Sequence, residues 1–258
     1  MTALPSTGAA VAVPQTRARV VAVASGKGGV GKTWFAITLA HALAGMGQRV
    51  LLVDGDLGLA NVDIQLGLMP VRDIGAVVAG THGVAEVAVR HAGGFDILPG
   101  SSGSGALAGL PDERLARLLD TLHAAGHDTV ILDLGAGLDR HARRMARFAD
   151  LLLVLATEEP TSLTDAYAVL KLHRADGGGE ARVVVNQAGT VAAGQRTYAT
   201  LARACAAFLG CTPALAGIVR RDERVREAIR RQALLLQRHP NSHAAADVEA
   251  VARDILPG

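Results

Sequence analysis

The glycine-rich stretch from residue 26 to residue 33 constrains this chain more than any other feature. It follows an apolar run that ends at Ala24 and precedes an Ala/Leu-rich stretch. Its residues are, in order, Gly26, Lys27, Gly28, Gly29, Val30, Gly31, Lys32 and Thr33. The pattern predicts a strand, a phosphate-binding loop and a helix, because glycine backbone approaches a phosphate closely and helix N-termini favour anions. A glycine-rich turn without a ligand is the alternative, and the joint occurrence of all these parts disfavours it.

Individual residues of this loop suggest distinct roles. Lys32 can reach the β- and γ-phosphates of a nucleotide, and the Thr33 hydroxyl can bind Mg²⁺. Lys27 occupies a position that the general motif leaves free, so by itself it is an exposed cation beside a polyanion. Of the 26 basic residues only three are lysines, and two of these lie in the loop. Trp34 comes next and is predicted to contact the nucleotide, although its effect on the nucleotide is left open.

Composition limits the classes of protein to which the chain can belong. With 258 residues, half of them apolar, one large α/β domain is expected at residues 19–258, after a flexible N-terminal tail at residues 1–18. The net charge of +2 does not by itself favour a nucleic-acid partner. Cys205 and Cys211 cannot form a disulfide framework or a four-ligand zinc site, which suits a reducing cytoplasm. No secretion signal and no membrane-spanning run is recognised.

Short apolar strands alternate with helices along most of the chain. Strands are predicted at residues 20–24, 49–53, 95–98, 129–132, 151–156, 182–185 and 214–219, and helices at 34–44, 111–125, 139–148, 161–174, 195–209, 223–236 and 244–256. This pattern predicts a mostly parallel sheet with helices on both faces, whose ligands bind at the carboxyl ends of the strands. The Gly/Ser-rich segment 100–109 is expected to be a linker or a covering flap.

Three carboxylates follow predicted strands at the edge where a ligand is expected. Asp54 and Asp56 lie one residue apart after the second strand, and Asp133 follows the fourth. Asp133 is predicted to bind Mg²⁺, Asp54 to lie near the metal, and Asp56 to orient or deprotonate an attacking water. A solvated acidic turn is the alternative for the first pair. Gly135 allows the backbone after Asp133 to approach the γ-phosphate.

The loop that carries Lys27 resembles the deviant Walker A motif of the MinD/ParA family of ATPases. The resemblance implies a three-layer P-loop NTPase fold and an ATP-dependent homodimer in which Lys27 reaches the nucleotide of the partner. It also implies that Asp56 is the hydrolytic aspartate and that Asn61 belongs to a switch segment. Asn186 falls at the adenine-binding position of the family, with a turn-capping role as the alternative. Asp222 falls at a second nucleotide-side loop.

Three further stretches resemble the flagellar FlhG/FleN branch of that family. They are residues 54–68, 159–171 and 222–232, the last followed by residues 239–242. The resemblance implies a cytoplasmic, Mg²⁺-dependent, slow and partner-stimulated ATPase that controls flagellar placement or number. The implied partners are an FlhF-like GTPase or a flagellar switch-complex protein, and the implied location includes a transient stay at the inner membrane or cell pole.

Two alternatives within the family concern other binding surfaces. In a ParA-like protein that binds DNA or cargo, the arginines of residues 139–148 would face the DNA, although a solvated helix face is the favoured interpretation. In a MinD-like division-site regulator the chain would bind lipid. The final helix argues against this because it carries Asp247, Glu249 and Asp254, which an anionic leaflet repels. The basic segment 221–238 contains Leu234 to Leu236, for which packing on the sheet is favoured over membrane contact.

Overall fold

The computed structural model describes residues 17–56, 60–100, 110–137 and 139–256. These residues form eight strands: β1 (Arg19–Ser25), β2 (Val50–Gly55), β3 (Val89–Arg90), β4 (Asp96–Leu98), β5 (Thr129–Ala136), β6 (Leu151–Ala156), β7 (Glu180–Ala188) and β8 (Ala214–Arg220). They also form eleven helices: α1 (Lys32–Gly45), α2 (Val62–Leu66), α3 (Ile74–Val78), α4 (Val84–Val87), α5 (Asp112–His123), α6 (Arg140–Phe148), α7 (Pro160–Ala175), α8 (Val191–Leu209), α9 (Glu223–Arg230), α10 (Leu235–Arg238) and α11 (His243–Ile255).

All eight strands belong to one sheet, in the order β3-β4-β2-β5-β1-β6-β7-β8. Every pairing in it is parallel except the one between β3 and β4 at the edge. The predicted mostly parallel sheet is therefore confirmed. Because β1 lies between β5 and β6, the loop that follows β1 leaves the sheet near its centre.

The two faces of the sheet are covered by different helices. On β1, Val20 and Ala22 pack into a core with α5 to α8, whereas Val21 and Val23 pack into a second core with α1 and α11. Successive strand residues point to opposite faces, so a strand that is buried on both sides is apolar throughout. This confirms the predicted helices on both faces.

The structure adds short elements between β2 and β4 that the sequence pattern did not predict. Helices α2, α3 and α4 have five, five and four residues, too few for a helical repeat of apolar residues to stand out. The single helix predicted at residues 223–236 is wrong, because α9 ends at Arg230. Gln232 then takes a left-handed conformation with φ of +51° before α10 begins.

Most of the predicted N-terminal tail and most of the predicted loop 100–109 lie outside the described residues. Of the predicted tail, residues 1–16 are not described, but Ala18 is buried and its N–H donates to the His123 carbonyl at 3.1 Å. The folded part of the chain therefore includes Ala18, and the tail predicted for residues 1–18 is too long at that end. Of the predicted loop 100–109, only Gly100 is described, and it is buried.

The DNA-binding alternative depends on exposed arginines in α6, and the membrane-binding alternative on the basic segment 221–238. In the structure, several of these side chains form ion pairs or are buried. In α6, Arg140 and Arg144 pair with Asp112, and Arg143 binds Asp176. These arginines hold α6 to its neighbours in this structure. In the basic segment, Leu234 and Leu235 are buried, which confirms their predicted packing on the sheet. No helix among the described residues is both long and apolar enough to cross a bilayer.

Candidate nucleotide-binding site

The sheet register brings the predicted acidic residues together. Asp54 on β2 lies directly opposite Asp133 on the neighbouring strand β5. On the other side of β5, Ser25 at the end of β1 pairs with Ala136. The glycine-rich loop therefore starts beside the two strand ends that carry the carboxylates, as the prediction of a ligand at the carboxyl ends requires.

The glycine-rich loop is held by the end of β7. Gly29 and Gly31 have φ of +80° and +89°, a region that glycine adopts without strain, and α1 begins directly after Gly31. The buried Asn186 side chain donates from Nδ2 to the Val30 carbonyl at 2.7 Å. A Cβ atom on Gly31 would lie 2.7 Å from the same nitrogen, so the contact requires glycine at that position.

Asn186, which the resemblance predicts to contact adenine, makes two hydrogen bonds near the loop in the structure. Its Nδ2 holds the loop, and its Oδ1 accepts from the Gln187 N–H at 2.9 Å. Gln187 also donates from Nε2 to the Gly29 carbonyl at 3.2 Å. The adenine-binding role of Asn186 stays a prediction, and Gln187 is a site residue that the sequence reasoning missed.

Lys32, Thr33 and Asp133 form a polar cluster beside the start of α1, in which Lys32 and Asp133 are buried and Thr33 is partly buried. Burial lowers the pKa of Lys32, an effect that the carboxylates of Asp133 and Asp56 oppose. Burial raises the pKa of Asp133 to about 7, and a hydrogen bond from Thr33 opposes this rise. Asp133 Oδ1 is buried and has no hydrogen-bond partner among the described residues. A hydroxyl beside an unpaired carboxylate oxygen fits a Mg²⁺ ion, which prefers oxygen ligands.

Asp54 has a contact pattern that differs from that of Asp133. Its carboxylate accepts from the backbone N–H groups of Asp56, Asn61 and Val62 at 3.2, 2.8 and 2.9 Å. Burial raises its pKa to about 6, although these hydrogen bonds favour the ionised form. Asp54 thereby fixes both ends of the segment that precedes α2. The predicted metal role of Asp54 stays a prediction, and the anchoring of this segment is a function that the sequence did not indicate.

Asp56 and Gly135 meet at the tips of β2 and β5. A Cβ atom on Gly135 would lie 3.2 Å from the carboxylate atoms of Asp56, so the glycine leaves room for this side chain. Asp56 is partly exposed and also raises the pKa of Lys32. The structure thus brings together the predicted hydrolytic aspartate, the predicted γ-phosphate sensor and the phosphate-binding lysine. Their catalytic and binding roles remain predictions.

Lys27 lies on the rim of the loop and binds within its own chain. Its Nζ is 2.7 Å from Glu159 Oε2 and 3.2 Å from Thr161 Oγ1, with 43% of its side chain exposed. The Lys27 ammonium lowers the pKa of Glu159. Glu159 was not predicted as a site residue. The signal that could have found it is the acidic pair Glu158 and Glu159, which follows the apolar strand β6 at the ligand edge.

A cleft of about 280 Å³ opens between the loop and α9. Its lining includes Trp34, Asn186, Gln187, Arg221, Asp222 and Ile229. Asp222 accepts from the Arg224 N–H at 3.0 Å and so caps the N-terminus of α9. Trp34 is 7% exposed, and its Nε1 has no hydrogen-bond partner among the described residues. The predicted residues Trp34, Asn186 and Asp222 therefore share one cleft, next to the polar cluster.

Comparison with known proteins supports the same interpretation. The family model of the CobQ/CobB/MinD/ParA nucleotide binding domain matches residues 21–235. The antiactivator FleN of Pseudomonas aeruginosa is 37% identical over 92% of this chain and 86% of that protein. The flagellum site-determining protein YlxH of Helicobacter pylori is 29% identical over 71% of this chain and 63% of that protein.

The fold matches a solved structure of the septum site-determining protein MinD from Pyrococcus horikoshii, complexed with Mg-ADP. The TM-score is 0.78 at 24% identity, over 92% of this chain and 96% of the other. The predicted resemblance is confirmed, including its flagellar branch. This chain belongs to the CobQ/CobB/MinD/ParA family of nucleotide-binding proteins.

Proposed function

We propose that this protein is a Mg²⁺-dependent ATPase that acts as a dimerisation switch and regulates flagellar placement or number. The proposal is carried by one observation: Lys32, Thr33, Asp133 and Asp56 lie together at the carboxyl ends of the strands. Lys27 lies partly exposed on the rim of the adjoining loop. The similarity to FleN supports the flagellar role. The Mg-ADP complex described for the MinD relative supports the choice of nucleotide and metal.

In the proposed mechanism each residue has a separable task. The loop N–H groups and Lys32 bind the phosphates of ATP, and the cleft beside Trp34 accepts the base. Thr33 and Asp133 would hold Mg²⁺, which would supply positive charge to neutralise the phosphates. Asp56 orients the water that attacks the γ-phosphate, and Lys27 reaches the nucleotide of a second copy. The product of the cycle is a change of assembly state, since phosphoryl switches act through the elements that the γ-phosphate orders.

The partner and location of the switch follow from the same resemblance. We expect an FlhF-like GTPase or a flagellar switch-complex protein to bind the dimer and to stimulate its slow turnover, in the cytoplasm or transiently at the cell pole. In the structure three of the four arginines of α6 already bind aspartates, so DNA phosphates would have to displace these ion pairs in the DNA-binding alternative. ATP-dependent, salt-sensitive retention on DNA would instead support that alternative.

The test measures turnover and mass on the same samples. ATP hydrolysis is followed by phosphate release, and mass by light scattering with and without Mg-ATP. We expect Asp56→Ala to reduce turnover by at least about a hundredfold, the scale lost when a water-positioning group is removed, and to accumulate as a dimer. Asp63→Ala is the matched control, because Asp63 lies nearby in α2 but outside the site. Unchanged turnover in Asp56→Ala, or a monomer under all conditions, would contradict the proposal.

A further inference from the structure

Large apolar side chains are strongly exposed just after α2. Met69 and Val71, on either side of Pro70, are 94% and 92% exposed, and Ile64 in α2 is 59% exposed. A single exposed apolar side chain is ordinary, but adjacent ones of this size mark an interaction site. The backbone from Gly67 to Asp73 forms neither helix nor strand.

The turn that follows α9 lies against this segment. Gln232 donates from Nε2 to the Ile64 carbonyl at 2.9 Å, and a Cβ atom on Gly67 would lie 2.8 Å from Gln232 Oε1. Arg230 and Arg231 directly precede Gln232 in the chain. This contact therefore brings the backbone that carries the two arginines to the segment between Ile64 and Gly67, two residues before Met69.

The arginines at this surface lack the partners that nearby arginines have. Arg238 binds Glu227 at 2.8 Å and Arg226 lies 3.6 Å from Glu223. Arg72, Arg230 and Arg231 are exposed and form no ion pair within the described part of the chain. The surface thus combines apolar side chains with three arginines that have no ion pair among the described residues. We call it the Met69 surface, made of Ile64, Met69, Val71, Arg72, Arg230 and Arg231.

We propose that the Met69 surface docks an acidic segment of a partner protein that carries apolar anchor residues. Carboxylates of that segment would bind the arginines, and its apolar side chains would cover Met69 and Val71. A protein segment fits better than a lipid surface, because Met69 and Val71 lie on irregular backbone. The N–H and carbonyl groups of such backbone cannot be satisfied in hydrocarbon, whereas a protein partner can hydrogen-bond to them.

The same two elements reach the nucleotide site with their other ends. The start of α2 is held by the Asp54 carboxylate through Asn61 and Val62, and the first turn of α9 lines the cleft beside Trp34. A nucleotide that moves either end alters the relative position of α2 and α9. We therefore expect Mg-ATP to change the affinity of the Met69 surface, and this coupling rests on the proposed function.

The test selects peptides that bind the Met69 surface and discards peptides that bind elsewhere on the protein. Random short peptides displayed on phage are selected on the full protein, and those that also bind the Met69→Ser/Val71→Ser variant are removed. The remaining peptides should combine Asp or Glu with apolar residues. Their affinity, measured by fluorescence anisotropy, should fall at least about tenfold in Arg230→Glu/Arg231→Glu. Val191→Ser and Arg253→Glu, which alter exposed residues elsewhere, should retain it.

Four different results would overturn the proposal or a part of it. The absence of surviving peptides, or survivors without acidic residues, removes the acidic partner. Sedimentation with phosphatidylglycerol vesicles that requires Met69 and Val71 assigns the surface to a membrane instead. Loss of the ATP-dependent dimer in Met69→Ser/Val71→Ser assigns it to a second copy. Peptide binding that ignores Mg-ATP removes the coupling alone, whereas failure of the proposed function appears separately, as absent ATP hydrolysis in the unmodified protein.

Discussion

Lys27 forms an ion pair with Glu159 of its own chain. In its proposed role Lys27 reaches the nucleotide of a second copy, which requires this ion pair to break. The Lys27 and Glu159 side chains are 43% and 66% exposed, so water competes with their ion pair. An exposed pair of this kind is weak, and it can be exchanged for a phosphate at small cost. In the proposed function, breaking this contact would therefore set a modest threshold for assembly of the dimer.

Removing the charge of Glu159 should lower that threshold. In Glu159→Gln we expect the dimer to form at an ATP concentration about two- to fivefold lower, because the competing ion pair is lost. Light scattering across an ATP titration measures the change. Glu158→Gln is the control, since Glu158 accepts from the Gly189 N–H and does not bind Lys27. An unchanged threshold would show that the ion pair does not compete with assembly.

Asp54 and Asp133 show how neighbouring residues of one type acquire different roles. They lie opposite each other on adjacent strands, yet Asp54 is bound by backbone N–H groups, and Asp133 keeps an unpaired oxygen. The sequence identified both as residues of the site. It could not separate them, because the difference depends on where the backbone after β2 returns to the sheet.

At the scale of elements, the phosphate-binding loop depends on β7 as well as on its own glycines. The contact from Asn186 to Val30 joins residues 156 positions apart and lies in the interior. A buried carbonyl that loses its donor carries a desolvation penalty. The loop is therefore fixed before a nucleotide arrives, which lowers the entropy that binding must remove.

We expect Asn186→Ala to lower the free energy of unfolding by about 1–3 kcal/mol, because it leaves the Val30 carbonyl unsatisfied. Denaturant titration without nucleotide measures this loss. Gln187→Asn is the comparison, since its longer contact to Gly29 is exposed, and the change should stay within about 0.5 kcal/mol. Equal effects of the two substitutions would contradict the structural role of Asn186.

Helix α6 is tied to the turn that follows α7 by an ion pair whose effect depends on pH. The hydrogen bonds from Arg143 lower the pKa of Asp176 below its usual value. A depressed carboxyl pKa stabilises the fold above the unfolded-state pKa, which is about 3.9 for Asp, and this contribution disappears as the pH falls through the folded-state pKa.

Asp176→Asn should therefore reduce Tm at neutral pH and lose this effect in acid, where the wild-type carboxyl is itself protonated. Thermal unfolding followed by circular dichroism, from neutral pH into acid, measures the difference in Tm between the variant and the wild type. Asp120→Asn removes an exposed carboxylate that has no ion pair among the described residues and should not reproduce the trend. A Tm difference that is constant with pH would contradict the assigned ion pair.

At the scale of the whole molecule, the nucleotide site joins elements from most of the chain. The loop after β1, the strand ends of β2 and β5, the end of β7 and the start of α9 all contribute to it. A ligand that binds this site only in the folded state shifts the unfolding equilibrium of the entire domain. Global stability is therefore a direct measure of site occupancy.

A non-hydrolysable ATP analogue with Mg²⁺ should raise the free energy of unfolding by about 2.7 kcal/mol at a hundredfold excess over Kd. Lys32→Met should abolish the rise, because the ammonium that would bind the phosphates is lost. Lys171→Met, an exposed lysine on α7, serves as the control and should preserve it. Denaturant titration with and without the analogue measures the free energy of unfolding of each variant. Stabilisation of Lys32→Met equal to that of the wild type would place the nucleotide elsewhere.

The sequence by itself determined the sheet and the glycine-rich loop, and it predicted the phosphate-binding residues. These rest on local patterns: apolar runs of strand length, a glycine spacing, and Lys32 and Thr33 at the start of a helix. Such patterns are read within a few neighbouring residues, because backbone conformation and phosphate binding at a helix N-terminus are local. The family resemblance added the predicted roles of Lys27 and Asp56, which no periodicity indicates.

Only the tertiary structure decided which distant groups meet. Lys27 and Glu159 are 132 positions apart, and Ile64 and Gln232 are 168 apart. Such contacts depend on the strand order and on left-handed backbone at Gln232, which breaks a helix that its sequence pattern predicts as continuous. Physically, the side chains around a residue are set by the packing of the whole sheet, whereas its strand or helix is set mainly by its neighbours in the chain.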